Sequence, residues 1–195
     1  MDHEAPHYLH QLQVPGEERY VSLALVNTRF TLSHGPVDLL DDAEAAHLWL
    51  VRHALLPDRA ALTGRQFGRL LALREALRSL FEAWASRAVP AAGTLATLNS
   101  ALAAAPATPR LAWTADGPHR ADEPDTGNPA GAALSLLAED ATDLLTGSEA
   151  DQLTECTAQG CARWFLRSHA ARRWCTTKCG NRVRAARAYA ARKGN

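Results

Sequence analysis

Four cysteines constrain this 195-residue chain more than any other feature, because they all lie between positions 156 and 179. Cys156, Cys161, Cys175 and Cys179 follow the pattern C-x4-C-x13-C-x3-C. Two closely spaced pairs joined by a loop suit a tetrahedral ion, since each pair supplies two ligands from one tight turn. Gly160 and Gly180 flank cysteines where the chain must bend sharply. Thiolates prefer soft or borderline metals, and a closed set of four is usually structural zinc. The alternative is two disulfides, which belong to oxidising compartments. Nothing at Met1 to His10 resembles the apolar core of an export signal. No stretch reaches the roughly 18 apolar residues of a membrane span. A soluble cytoplasmic protein with one structural Zn2+ is therefore expected. His169, between the pairs, is an alternative ligand, whereas His3, His7 and His10 have only loose metal-like spacing in an irregular tail.

Net charge is zero, yet its distribution is uneven. Residues 151–195 hold ten Lys or Arg and two acids, Asp151 and Glu155, for +8; the remainder then carries 11 basic and 19 acidic residues, for −8. Such asymmetry implies separate tasks for the two regions. After Cys179 the chain is rich in Ala and Arg and free of acids as far as Lys193, which predicts a basic helix with the last cysteine at its N-terminus. The helix macrodipole favours a thiolate there. Arg163, Arg167, Arg172 and Arg173 lie between the cysteine pairs, interleaved with Trp164, Phe165 and Trp174. Arginines pair with phosphates and aromatic rings stack on bases. The competing role for the rings is to pack the small core around the metal, and the better one for Phe165 and Trp174. A basic tail docked on the protein's own acidic body is the alternative account of the charge.

The rest reads as mainly helical. Arg19 to Arg29 is either a strand or a short buried helix, since periodicity does not decide. A helix is expected from Asp41, with Glu44 at the capping-box spacing and Leu48, Val51 and Leu55 on its apolar face. A second spans about Thr63 to Trp84, with Phe67, Leu70, Leu71, Leu77, Leu80, Phe81 and Trp84 in a broad stripe. A third covers Leu95 to Ala104. Arg110 to Thr114 and Asp116-Gly117 suggest a small hairpin with a weak partner strand near Arg120. Asn128-Pro129 starts a last helix carrying Leu134, Leu137, Leu144 and Leu145.

Arg172-Arg173-Trp174-Cys175, followed by Cys179-Gly180-Asn181-Arg182, resembles the CGNR zinc-finger signature. Leu25-Val26-Asn27-Thr28-Arg29, Asp38-Leu39-Leu40, Leu73 to Arg78 and Leu98-Asn99 look like pieces of the ABATE domain that accompanies it. The resemblance implies a bacterial, stress-linked transcriptional regulator; a zinc-ribbon-like, RNA-binding description is also attached to the family. The chain departs from the family in having Arg167 after Phe165-Leu166, where an acid is frequent, and x3 rather than x4 in its last cysteine pair.

The expected fold class is thus mainly α, or α+β with a small hairpin. A helical ABATE-like domain over 1–150 precedes a treble-clef or zinc-ribbon-like finger over 151–195. The expected partner is nucleic acid, DNA or RNA, met by Arg163, Arg167, Arg172, Arg173, Arg182, Arg184 and Arg187. Arg182 has a second role open to it, bracing the knuckle through backbone carbonyls. The N-terminal domain is expected to sense a small-molecule effector or to form a homodimer. Asn27, Thr28 and Arg29 are candidates to line a pocket, with a turn or cap as the alternative. The rival function is a zinc-stapled protein-interaction module. No enzyme is expected, because a closed four-thiolate zinc has no open position for water and no nucleophile motif or Gly-rich phosphate loop is present.

Overall fold

The computed structural model describes residues 14–32, 35–123 and 127–193; His3, His7 and His10 lie outside this range. In chain order the elements are α1 (Val21–Val26), β1 (Arg29–Leu32), β2 (Gly35–Asp38), α2 (Ala43–Arg52), α3 (Gly64–Ala85) and α4 (Ala92–Leu102). There follow β3 (Thr108–Thr114), β4 (Gly117–Glu123), α5 (Pro129–Thr146), a 3-10 turn (Ala150–Gln152), β5 (Leu153–Glu155), β6 (Trp164–Leu166) and α6 (Thr177–Lys193). Helices dominate, and the strands form three antiparallel pairs, β1–β2, β3–β4 and β5–β6. Two compact units result. The first joins residues 14–38 to residues 144–193, and the second comprises residues 39–143.

In the second unit, local signals place the helix starts. Asp42, not Asp41, caps α2 by accepting the N–H of Ala45 at 2.7 Å. Along α2, Ala46 and Leu50 are buried and Leu48 is exposed. Thr63 and Gln66 form a full capping box on α3, satisfying two donors that the helix end would leave open. Along α3, Leu70, Leu73, Ala76, Leu77, Leu80 and Phe81 are buried, while Phe67, Leu71 and Trp84 are only half-buried. Arg74 is buried too, and its Nε lies 3.4 Å from the carboxylate of Glu75. Asn128 accepts the N–H of Gly131 at 3.1 Å, which fixes the start of α5 as its Asn-Pro dipeptide requires. The β3–β4 hairpin turns at Ala115–Asp116, with Leu111 opposite Arg120 and Trp113 opposite Pro118.

The first unit is built around β6. Trp164, Phe165 and Leu166 are buried almost completely on both faces of this short strand. One edge pairs with β5, with Glu155 opposite Trp164 and Leu153 opposite Leu166. The other edge is closed by the N-terminal segment. The Asn27 amide takes the place of a neighbouring strand: its Oδ1 accepts the Trp164 N–H and its Nδ2 donates to the Trp164 carbonyl, both at 2.8 Å. Leu166 N–H donates to the Pro15 carbonyl at 2.8 Å. Asn27 also donates to Glu17 Oε1 at 2.7 Å. Burial raises the Glu17 carboxyl above its ordinary range, against the pull of the Val14 N–H, Asn27 and Arg163. Arg19 and Tyr20 both bond Glu149, tying the same two segments at a second point. Arg19–Arg29 thus resolves as the short helix α1, with Leu23, Leu25 and Val26 buried.

Removing one side chain should therefore loosen a joint between two parts of the chain more than a hundred residues apart. Asn27→Ala leaves a buried N–H and a buried carbonyl of Trp164 without partners, at about 1–3 kcal/mol for each unsatisfied group. We expect a loss of about 2–4 kcal/mol in urea denaturation. A change below about 0.5 kcal/mol would show that water replaces the amide.

Candidate metal centre and basic helix

The cysteine cluster grows out of the same strand pair. β5 ends at Glu155 and Cys156 follows it; the chain turns through Thr157–Gly160 and returns by way of Cys161 into β6. Cys156 N–H donates to the Arg163 carbonyl at 2.9 Å and Cys161 N–H to the Ala158 carbonyl at 2.8 Å, so the turn is closed by its own backbone. Gly160 sits at φ +72°, the left-handed region that only glycine enters without strain. The second pair comes from the start of α6. Cys175 precedes it, Cys179 lies in its first turn, and Thr176 caps it by accepting the Cys179 N–H at 3.3 Å.

These two sources bring all four sulfur atoms within 4.8 Å of one another, each buried. Sγ of Cys175 lies 3.8 Å from that of Cys161 and 3.6 Å from that of Cys179. A tetrahedral ion with Zn–S bonds of about 2.3 Å has sulfur–sulfur edges of about 3.8 Å, so the donor set fits. All four cysteines are free thiols, which answers the disulfide alternative. His169 is exposed on the loop and takes no part in the cluster. Crowding couples the thiols. Cys156, bonded chiefly by Cys161, is pushed down to about 6, and Cys179, bonded chiefly by Cys156, also lies below the ordinary thiol range. The same contacts push Cys161 and Cys175 up. Four thiolates cannot coexist in this volume without a cation between them, which is the electrostatic need a divalent metal fills.

Around the sulfurs lies a small apolar core: Val14, Ala158 and Phe165, with Trp174 and Val183 against it. Val14 belongs to the N-terminal segment, so the finger borrows part of its core from residues 130 positions or more away in sequence. Gly180 serves here by close approach rather than by bending the chain. A Cβ on it would lie 2.9 Å from Cε3 of Trp174. The Trp174 ring is in turn covered by the Arg184 guanidinium at 5.6 Å.

Comparison with known protein families agrees with this arrangement. Residues 20–148 match ABATE, described as "Putative stress-induced transcription regulator", and residues 152–193 match the CGNR zinc finger. The chain belongs to the ABATE family. No curated protein matches it. The Cys-Gly-Asn-Arg of the CGNR finger is residues 179–182, spanning the first and second turns of α6, and each member has a visible task. Cys179 is in the cluster, Gly180 admits Trp174, and Asn181 accepts from Arg184. Arg182 directs its guanidinium to Cys179 Sγ at 4.0 Å.

The arginines of the CGNR finger separate into two groups. Arg163 is buried, with its guanidinium 4.8 Å from the centre of the Phe30 ring, a position that withholds it from any phosphate. Arg172 donates to the carbonyls of Trp174 and Cys175 at 3.2 and 2.9 Å and stacks on Phe165. It performs the carbonyl bracing that the sequence offered to Arg182. Arg167 donates to the Asp151 carbonyl at 3.0 Å. Arg173, Arg182, Arg184 and Arg187 remain exposed, and so do Lys178, Arg192 and Lys193, which sequence reasoning had not singled out. Trp164 and Phe165 are core residues, 1% and 0% exposed, and cannot stack on bases. In the ABATE part, Asn27 and Thr28 are buried and Arg29 is exposed. Both Asn27 N–H donors are spent on Trp164 and Glu17, Thr28 Oγ1 bonds the Leu25 carbonyl at 2.7 Å, and Arg29 points to solvent.

Among these positions Gly180 gives the sharpest test. Gly180→Ala drives a methyl group into Trp174, and overpacking of this kind costs about 1–3 kcal/mol. The expected result is a lower midpoint for loss of tryptophan fluorescence and faster loss of bound metal to a chelator. Wild-type behaviour in both would mean that Trp174 moves aside freely.

Proposed function

We propose that this chain is a zinc-stapled nucleic-acid-binding regulator, and that α6 is the element that meets a duplex. Cys156, Cys161, Cys175 and Cys179 hold one zinc ion in a closed structural site of treble-clef type, with a knuckle supplying two ligands and a helix start the other two. The ion does no chemistry on a substrate; it pins the first turn of α6 to the β5–β6 knuckle. The protein is not an enzyme on this reading.

The observation that carries the proposal is the state of α6 beyond its first turn. From Asn181 to Lys193 every residue is exposed except Val183, which is half-buried. A helix exposed along this length is not held by packing against its own unit beyond Val183. α6 contains six basic residues and no acid. At about 100° per residue, Arg182, Arg184, Arg187 and Arg192 project at roughly 0°, 200°, 140° and 280° around its axis. Positive charge on all sides suits a helix lying between two strands of phosphate. A helix of about 10–12 Å diameter fits the roughly 12 Å major groove of B-form DNA, whereas the deep, narrow major groove of duplex RNA excludes it. Duplex DNA is therefore the preferred partner. The rest of the chain, which carries the opposite charge, is left for effector sensing or dimer formation.

Gel shifts across a salt series with duplex DNA, duplex RNA and single-stranded RNA test this. Tight binding to DNA alone with a steep salt slope is expected. Truncation after Ala185 removes Arg187, Arg192 and Lys193 but leaves all four ligands and the Trp174–Arg184 stack. It should weaken DNA binding at least tenfold and flatten the slope by up to about three units, with the metal content unchanged. No DNA binding at low salt by the metal-loaded protein would favour the protein-interaction module instead.

A further inference from the structure

Between the knuckle and α6 runs a groove of about 420 Å³. Val183, Ala186 and Ala190 form one long wall of it, spaced three and four residues apart so that they share one helix face. Thr157 and Gln159, from the knuckle turn, face them. Arg182 and Arg187 complete the lining. No carboxylate among the described residues pairs with either arginine. The small side chains leave room, the knuckle offers neutral hydrogen-bonding groups, and the only charges are two cations. Much of its lining is apolar, and the two positive charges along it meet no carboxylate of the described residues.

We propose that this groove is a phosphate seat, taking two or three successive phosphates of a nucleic-acid backbone, with Arg187 as its principal cation. The backbone as occupant rests on the proposed function; the preference for phosphate rests on the groove itself. Arg182 and Arg187 are five residues apart, about 7.5 Å along the helix, which is about one step between neighbouring phosphates of a strand. Gln159 Nε2 offers a donor on the opposite wall, whereas the Thr157 hydroxyl is spent on the Arg173 carbonyl at 3.1 Å. The side of α6 away from the groove, bearing Ala188 and Arg192, is then free to face base edges. Arg182 stands in both sites, since it lines the groove and also approaches Cys179 Sγ at 4.0 Å. A seated phosphate competes with the thiolate for that guanidinium.

Two measurements decide the matter. The first is an NMR titration of the metal-loaded full chain with inorganic tripolyphosphate. Amide shifts concentrated at Thr157, Gln159, Val183 and Ala186 are expected, and they should vanish in Arg187→Ala. Shifts spread evenly over the basic residues, or equal in the variant, overturn the seat. The second uses Ala186→Leu, which fills the groove without altering charge and keeps a good helix former. It should weaken duplex DNA binding at least tenfold while circular dichroism and metal content stay unchanged. Full DNA affinity in Ala186→Leu shows that the backbone does not lie here. Should the wild-type chain bind no duplex yet show the localised tripolyphosphate shifts, the seat stands and the DNA reading falls.

Discussion

The first unit depends on the crowding of four sulfur atoms into one buried core. Sulfurs held 3.6 to 3.8 Å apart are stable neighbours as thiols sharing protons or as thiolates around a cation. Everything else in the unit is arranged to hold them so. β5 and β6 present the knuckle, Thr176 starts the helix that presents Cys179, and Arg172 fastens the carbonyls of Trp174 and Cys175. Val14 and Phe165 close the apolar side. A module of about forty residues seldom buries enough surface to fold alone. This one enlarges its core by drawing in the segment 14–38.

That borrowing changes what the finger is. Asn27 and Pro15 make the contacts that let β6 sit as an inner strand rather than an edge. The family matches divide the chain between residues 148 and 152, whereas packing places 14–38 with the finger. The metal site and the start of the ABATE region are therefore parts of one cooperative structure. A change in either is felt by the other through β6. The outer two-thirds of α6 is exempt, since its support ends with Val183. This contrast between a fastened base and an unsupported shaft gives the helix its capacity to engage a partner.

Local chemistry made part of this legible in the sequence. The cysteine spacing, the Thr63–Gln66 cap, the Asn128-Pro129 start and the basic helix all depend on residues within a few positions of each other. Residues whose role depends on distant partners were less legible. For Asn27 the sequence offered a pocket or a turn or cap, and not its bond to Trp164, because that partner is 137 positions away. Arg163 looked like a phosphate ligand because nothing nearby signals that Phe30 covers it. Arg172 and Arg182 exchanged tasks, since spacing alone does not say which guanidinium reaches the carbonyls and which the sulfur. The Asp41–Asp42 pair offered two caps one residue apart, and spacing alone does not say which of them reaches the Ala45 N–H.

The central claim is that the metal centre and residues 14–38 fold as one unit. Hydrogen exchange measured with metal bound and after chelation tests it most directly. The account predicts that chelation strips protection from the knuckle, from β6 and equally from α1 and the backbone of Asn27–Phe30, while α3 and α4 keep theirs. Loss confined to residues 153–193, with α1 as protected as before, would contradict it.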